Sequence, residues 1–101
     1  MKHKRTKATA IPKEVKEIVY ERDNGCCIFC GAPGLPEAHV VARSHGGLGI
    51  ETNIITACRR CHDKMDNSSL RKLYVSYAES YLAVRYSGWS REAQVYKKGQ
   101  T

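Results

Sequence analysis

The chain has 101 residues, 42% of them hydrophobic, with one Trp and one Phe, so it makes one small domain whose core is too modest to carry stability alone. Its net charge of +7 permits attraction to polyanions, nucleic acid first among them, and suits plain solubility equally well. No run reaches the roughly 18 apolar residues a membrane span needs, which sets membrane insertion aside.

Residues 1–11 open with MKHKRTK, in which Lys2, Lys4, Arg5 and Lys7 are cationic. No apolar stretch follows, so the segment reads as a basic arm, unordered together with His3 until a partner binds, rather than as a secretion signal. An intracellular, cytoplasmic setting follows from that reading. Pro12 suits a first helical turn, and Val15, Ile18, Val19 and Arg22 recur at helical spacing, which predicts a short helix over 12–22. NGCCIFCGAPGLPEAH then holds three glycines and two prolines within sixteen residues, the composition of turns around a knuckle. A first strand is predicted at 38–42 and a second along NIITAC, joined by the glycine-bearing loop SHGGLGIETN. Such a ribbon is marginal alone and needs a layer to lie on. A helix starting near Arg59 would supply it. Beyond, Leu70, Leu73, Tyr77, Tyr81 and Val84 recur three or four apart between a capping Ser68 or Ser69 and a terminating Gly88. That stripe is expected in the core rather than stacked on bases. Trp89 is expected to pack back on the domain.

Four cysteines form two identical pairs, Cys27/Cys30 and Cys58/Cys61, each with two residues between and with 27 residues separating the pairs. This is the arithmetic of a structural Zn2+ site of four thiolates, in which the ion closes a long loop and supplies folding energy. Two disulfides in a secreted mini-domain are the alternative. Cys26 is left over, as an apolar filler or a spare thiol.

A helix starting at the second pair puts Cys58 and Cys61 on one face and His62 and Asp66, four apart, on a neighbouring face. His62 and Asp66 make half of an open site suited to Mg2+ or Mn2+; Asp66 alternatively is helix surface or a local cap. His39, on the first strand, could take a proton from a water attacking phosphorus while the metal stabilises the charge on the departing oxygen. Read singly, it is a satisfied core histidine. Asn53 is suited to bond the backbone across the ribbon and so hold His39. Arg43, Arg59 and Arg60 are candidates for clamping DNA phosphates, or are solvated surface.

The stretches CIFCG, AHVVARSHGG and ETNIITACRRCHDKMDN resemble the HNH endonuclease family, particularly its small zinc-containing bacteriophage members. The resemblance implies an α+β chain of the ββα-metal (His-Me finger) fold. It implies His39 as general base, Asn53 steadying the loop, His62 on the catalytic metal, and structural zinc on Cys27, Cys30, Cys58 and Cys61. The nuclease domain would run over 12–101, with its core motif at 27–67 and helical support at 68–101. One departure stands out: the family often carries Asp or His immediately before the base as a further metal ligand, and this chain has Ala38. His62, Asp66, waters and substrate would then hold the metal, or His45 or Glu37 would join them. Strand alternation is expected to turn Glu37 to the other side, making it the poorer candidate.

The resulting expectation is a metal-dependent DNA endonuclease that nicks or cuts duplex DNA with low sequence specificity, since phosphate contacts carry no base code and no recognition helix stands out. A phage terminase subunit is a further partner implied by resemblance, and the oligomeric state stays open. The alternative is a non-catalytic zinc ribbon that binds nucleic acid or a phage packaging protein.

Overall fold

The structure, a computed structural model, describes residues 4–98. In chain order it comprises α1 (Lys4–Thr9), α2 (Lys13–Arg22), β1 (Leu35–His39), a 3-10 turn at Arg43–His45, β2 (Ile54–Ala57), α3 (Arg59–Asn67), α4 (Arg71–Arg85) and a second 3-10 turn at Glu92–Gln94.

Pro12, extended at φ −64° and ψ 155°, sets the start of α2, where its missing N–H costs nothing. Asn24 and Gly25 take φ of 57° and 66° and turn the chain out of the helix. Glycine is favoured at 25 because this left-handed φ is one that L side chains rarely adopt.

β1 and β2 pair antiparallel, with Ala38 opposite Ile55, His39 opposite Ile54, and an irregularity between Leu35 and Ala38. The first strand therefore lies earlier than the 38–42 expected. Its end has a physical cause: Val40 N–H donates to the Asn53 carbonyl, whereas Val41 N–H donates to the Asn53 side chain. A side chain takes over from the backbone ladder, and the strand stops. β2 is buried along its whole length and packs against both α2 and α3. The main core gathers Cys27, Ala38, Val40, Ile55, Ala57, Cys61, Met65, Val75, Ala78 and Leu82.

The end of α2 is tied to this core by a buried ion pair. Arg22 donates to both Asp23 carboxylate oxygens at 2.8 and 2.9 Å and to the Ile54 carbonyl at 2.9 Å. Asp23 also accepts from the Thr56 N–H at 2.9 Å and the Tyr81 hydroxyl at 2.6 Å. Burial alone would raise the Asp23 pKa, but these donors together hold it below the ordinary carboxylate value. A charged pair with this many partners is compensated for leaving water.

Two expectations are corrected. The stripe assigned to the core of α4 is mostly solvent-facing: Leu73 is 68% exposed, Tyr77 53% and Val84 84%, and of its members Tyr81 packs on the core. The buried face is Val75, Ala78 and Leu82. Both stripes are helically periodic, and Tyr81, at the edge between them, reaches Asp23 with its hydroxyl. The second correction concerns the N-terminal arm, of which residues 4–11 lie on the domain. Thr9 is 2% exposed, and the Gly49 N–H donates to the Ala8 carbonyl at 3.0 Å. A Cβ at Gly49 would collide with the Ala10 carbonyl, so a glycine is what admits this close approach. Lys2 and His3 fall outside the described residues.

Candidate metal centre and nuclease cleft

The first turn of α3 faces two ways. On one side, Cys58 caps the helix and Cys61 sits one turn in, opposite the knuckle that carries Cys27 and Cys30. The knuckle turns through Gly31, at φ 82°, with its N–H bonded to the Cys27 carbonyl at 2.9 Å. All four Sγ atoms lie within 4.8 Å of one another, and Cys30 and Cys58 are 3.7 Å apart. A tetrahedral ion with metal–sulfur bonds of about 2.3 Å requires edges of about 3.8 Å, so the four residues fit a zinc-sized thiophilic ion. The Cys61 N–H, 3.4 Å from the Cys58 sulfur, is the main influence lowering that thiol to about 7. Burial pushes the Cys61 thiol up to about 12, a penalty that a bound cation reverses. Cys26 stands outside the cluster, its thiol donating to the Asn24 carbonyl at 3.3 Å.

On the other side of the same helix, His62 and, one turn further along, Asp66 open onto a cleft of about 440 Å3 that His39, Arg43, His45 and Arg71 also line. The His62 Nε2 lies 3.1 Å from an Asp66 carboxylate oxygen. In the structure the two side chains pair with each other; they are close enough to become neighbouring ligands of one divalent ion, for which the imidazole would give up its contact with the carboxylate. Arg71 approaches the other Asp66 oxygen at 3.7 Å and donates to the Met65 carbonyl at 2.9 Å.

His39 is the last residue of β1 and half-buried. Its Nε2 lies 2.8 Å from the Thr9 carbonyl. A carbonyl accepts only, so Nε2 bears the proton and Nδ1 keeps its lone pair. Burial, its largest influence, lowers the His39 pKa below the usual 6.5, so the ring is neutral at pH 7. Asn53, fully buried, accepts from the Val41 N–H at 2.9 Å and donates to the Val41 and Leu48 carbonyls at 3.2 and 2.9 Å. It thus fastens the loop to the strand just past His39.

Ala38 turns into the core and offers no ligand. The expectation that Glu37 points away from His39 is overturned: residues two apart share a strand face, and both lie on the outer one. Glu37 pairs with Lys16 at 3.5 Å and lines a neighbouring hollow with His62 and Arg59. Arg43 is at the cleft, but its guanidinium donates to the Thr9 hydroxyl at 3.1 Å and the Thr6 carbonyl at 3.3 Å. Arg60 is exposed and lines neither hollow. Sequence reasoning missed Thr9 and Arg71. Arg71 had a signal in its position, five residues beyond Asp66 at the head of a helix; Thr9 had none.

No helix among the described residues is long and apolar enough to cross a membrane. No curated protein matches the chain. Residues 27–77, just over half of the 101, match the family described as HNH endonuclease. That match runs from the first knuckle cysteine into α4, the same stretch that builds the ribbon and both faces of α3, and on this ground the chain belongs to the HNH endonuclease family.

Proposed function

We propose that the protein is a metal-dependent DNA endonuclease whose reaction takes place in the cleft between β1 and α3. The observation that carries this reading is the sharing of one cleft by a neutral His39 and the His62/Asp66 pair. His39 Nδ1 takes a proton from water as the water oxygen bonds to phosphorus and the bond to the 3′ oxygen breaks. His62 and Asp66 would hold Mg2+ or Mn2+, which supplies charge stabilisation at the phosphate and the departing oxygen. Asn53 braces the backbone beneath the base. Arg71 and Arg59 stand at the rims of the two hollows, placed to meet backbone phosphates, and Arg43 lies between cleft and α1. Phosphate contacts of this kind give low sequence specificity. Cys27, Cys30, Cys58 and Cys61 would hold structural Zn2+. The resemblance also carries a setting: phage genome processing or packaging in a bacterial cytoplasm, with a terminase subunit as partner.

The test is conversion of supercoiled plasmid to open-circle and linear forms in Mg2+ and in Mn2+, with an EDTA control. His39→Ala is expected to lower the rate on the order of 10^2- to 10^4-fold with zinc content unchanged. Equal rates for both proteins would remove His39 as the base. No conversion in either metal with plasmid binding retained would favour a zinc-ribbon binding module, for which Ala38 gives a reason.

A further inference from the structure

We infer that α1 is a working part of the cleft, with Thr9 as the residue that positions both His39 and Arg43. The inference rests on the nuclease reading for its catalytic consequence, though not for the geometry. α1 has six residues, too few to persist alone. Its last carbonyls have no partner within the helix, and the Thr9 carbonyl receives the His39 Nε2–H at 2.8 Å across 30 residues of sequence. The Thr9 hydroxyl donates back to the Arg5 carbonyl at 2.9 Å and accepts from Arg43 Nε at 3.1 Å. One residue therefore fixes one nitrogen of the base and one edge of the adjacent guanidinium.

The remaining contacts keep α1 in that place. Arg5 donates to the Ser44 carbonyl at 2.8 Å, Arg43 to the Thr6 carbonyl at 3.3 Å, and the Gly49 N–H to the Ala8 carbonyl at 3.0 Å. All three reach from α1 to the loop between β1 and β2. A neutral imidazole in water exchanges between two tautomers, and the one with its proton on the cleft-facing nitrogen cannot accept a proton from water. The Thr9 carbonyl selects the other tautomer and sets the ring plane. Thr9 is a positioning residue, acting through His39. A basic segment that looks like a DNA-seeking arm is, in the fold, the back wall of the base.

Three measurements test this. In the zinc-loaded full chain, the 15N shifts of the His39 ring are expected to show the proton on Nε2; a proton on Nδ1 would overturn the inference outright. Gly49→Ala forces the Ala10 carbonyl out of its seat without touching a cleft residue. With zinc retained, it is expected to lower kcat about 10- to 100-fold, as loss of an outer partner does at other histidines, to leave KM for DNA within a few-fold, and to scramble the tautomer. Thr9→Ala should give a smaller loss, rescued by Thr9→Ser, which restores the hydroxyl. A Gly49→Ala protein with wild-type kcat and an unchanged tautomer would also overturn the inference. If the wild type fails to cleave, the nuclease reading falls, while the ring shifts still decide the role of Thr9. If Gly49→Ala fails to fold, the shifts of the intact chain decide it alone.

Discussion

The two faces of α3 are built in opposite ways. The thiolate face draws on two short segments with identical spacing, so the members of each pair are brought together by local structure alone. Only the approach of one pair to the other needs tertiary structure. The imidazole face has just His62 and Asp66 from the helix. Its third group, His39, comes from a strand, and the contact that orients His39 comes from α1. The comparison teaches that one short helix can offer residues for stability on one face and for chemistry on another, provided that the stability side is local in sequence and the chemical side is free to recruit from far away.

The sharpest way to break the comparison is at the cysteines. Cys58→Ser removes a proposed zinc ligand while leaving a hydroxyl that can still cap α3 by accepting the Cys61 N–H. If zinc binding supplies on the order of 10–16 kcal/mol, a domain of this size, with a total stability of about 5–15 kcal/mol, should lose cooperative folding. Circular dichroism melts read beside zinc content will show this; a cooperative melt without zinc would show that the apolar core suffices.

Acid offers an intermediate effect. His39 must be neutral to act as base, and burial lowers its pKa beneath 6.5, so the acid limb of the rate should have its midpoint below pH 6.5. A midpoint above 6.5 would contradict the burial argument. Stability shares the sign: the unfolded chain takes up the proton first, so the contribution of neutral, buried His39 is lost as pH falls from 6.5 through the folded value. Acid also protonates thiolates and releases zinc. Zinc content must therefore be read at each pH to keep the two faces apart.

The smallest effect belongs to the outer stripe of α4. Val84→Ser should shift stability by less than about 0.5 kcal/mol, while Leu82→Ala, two residues away in the core, should cost about 2–5 kcal/mol. Urea denaturation distinguishes them, and similar values for both would restore the core face that periodicity alone suggests.

What could be read from the sequence follows the same division. The twin cysteine pairs, α2, β2, and the register of Cys58 and Cys61 against His62 and Asp66 are matters of spacing within a turn, a strand or a helix, and they needed no fold to be visible. The end of β1 was not visible, because it depends on Asn53 substituting a side chain for the backbone partner of Val41. The buried face of α4 was misjudged because two periodic stripes compete, and spacing along one helix does not say which of them meets the core. Glu37 was misplaced where the alternation rule, counted in twos, puts it beside His39. α1 carried a charge pattern that suits an arm, and nothing in its residues announces that a carbonyl at Thr9 will meet an imidazole 30 residues away. Local spacing encodes the candidate ligands; the groups that aim the proposed base come from the tertiary fold.

The central claim is that the two faces of α3 carry two separable metal functions, and His62→Ala tests it most directly. Zinc content, thermal melt and plasmid cleavage would be measured on the same preparation of this variant and of the wild type. The account expects zinc and melt to match the wild type while cleavage in Mg2+ and Mn2+ is lost. Loss of zinc with cleavage, or retention of wild-type cleavage, would contradict it.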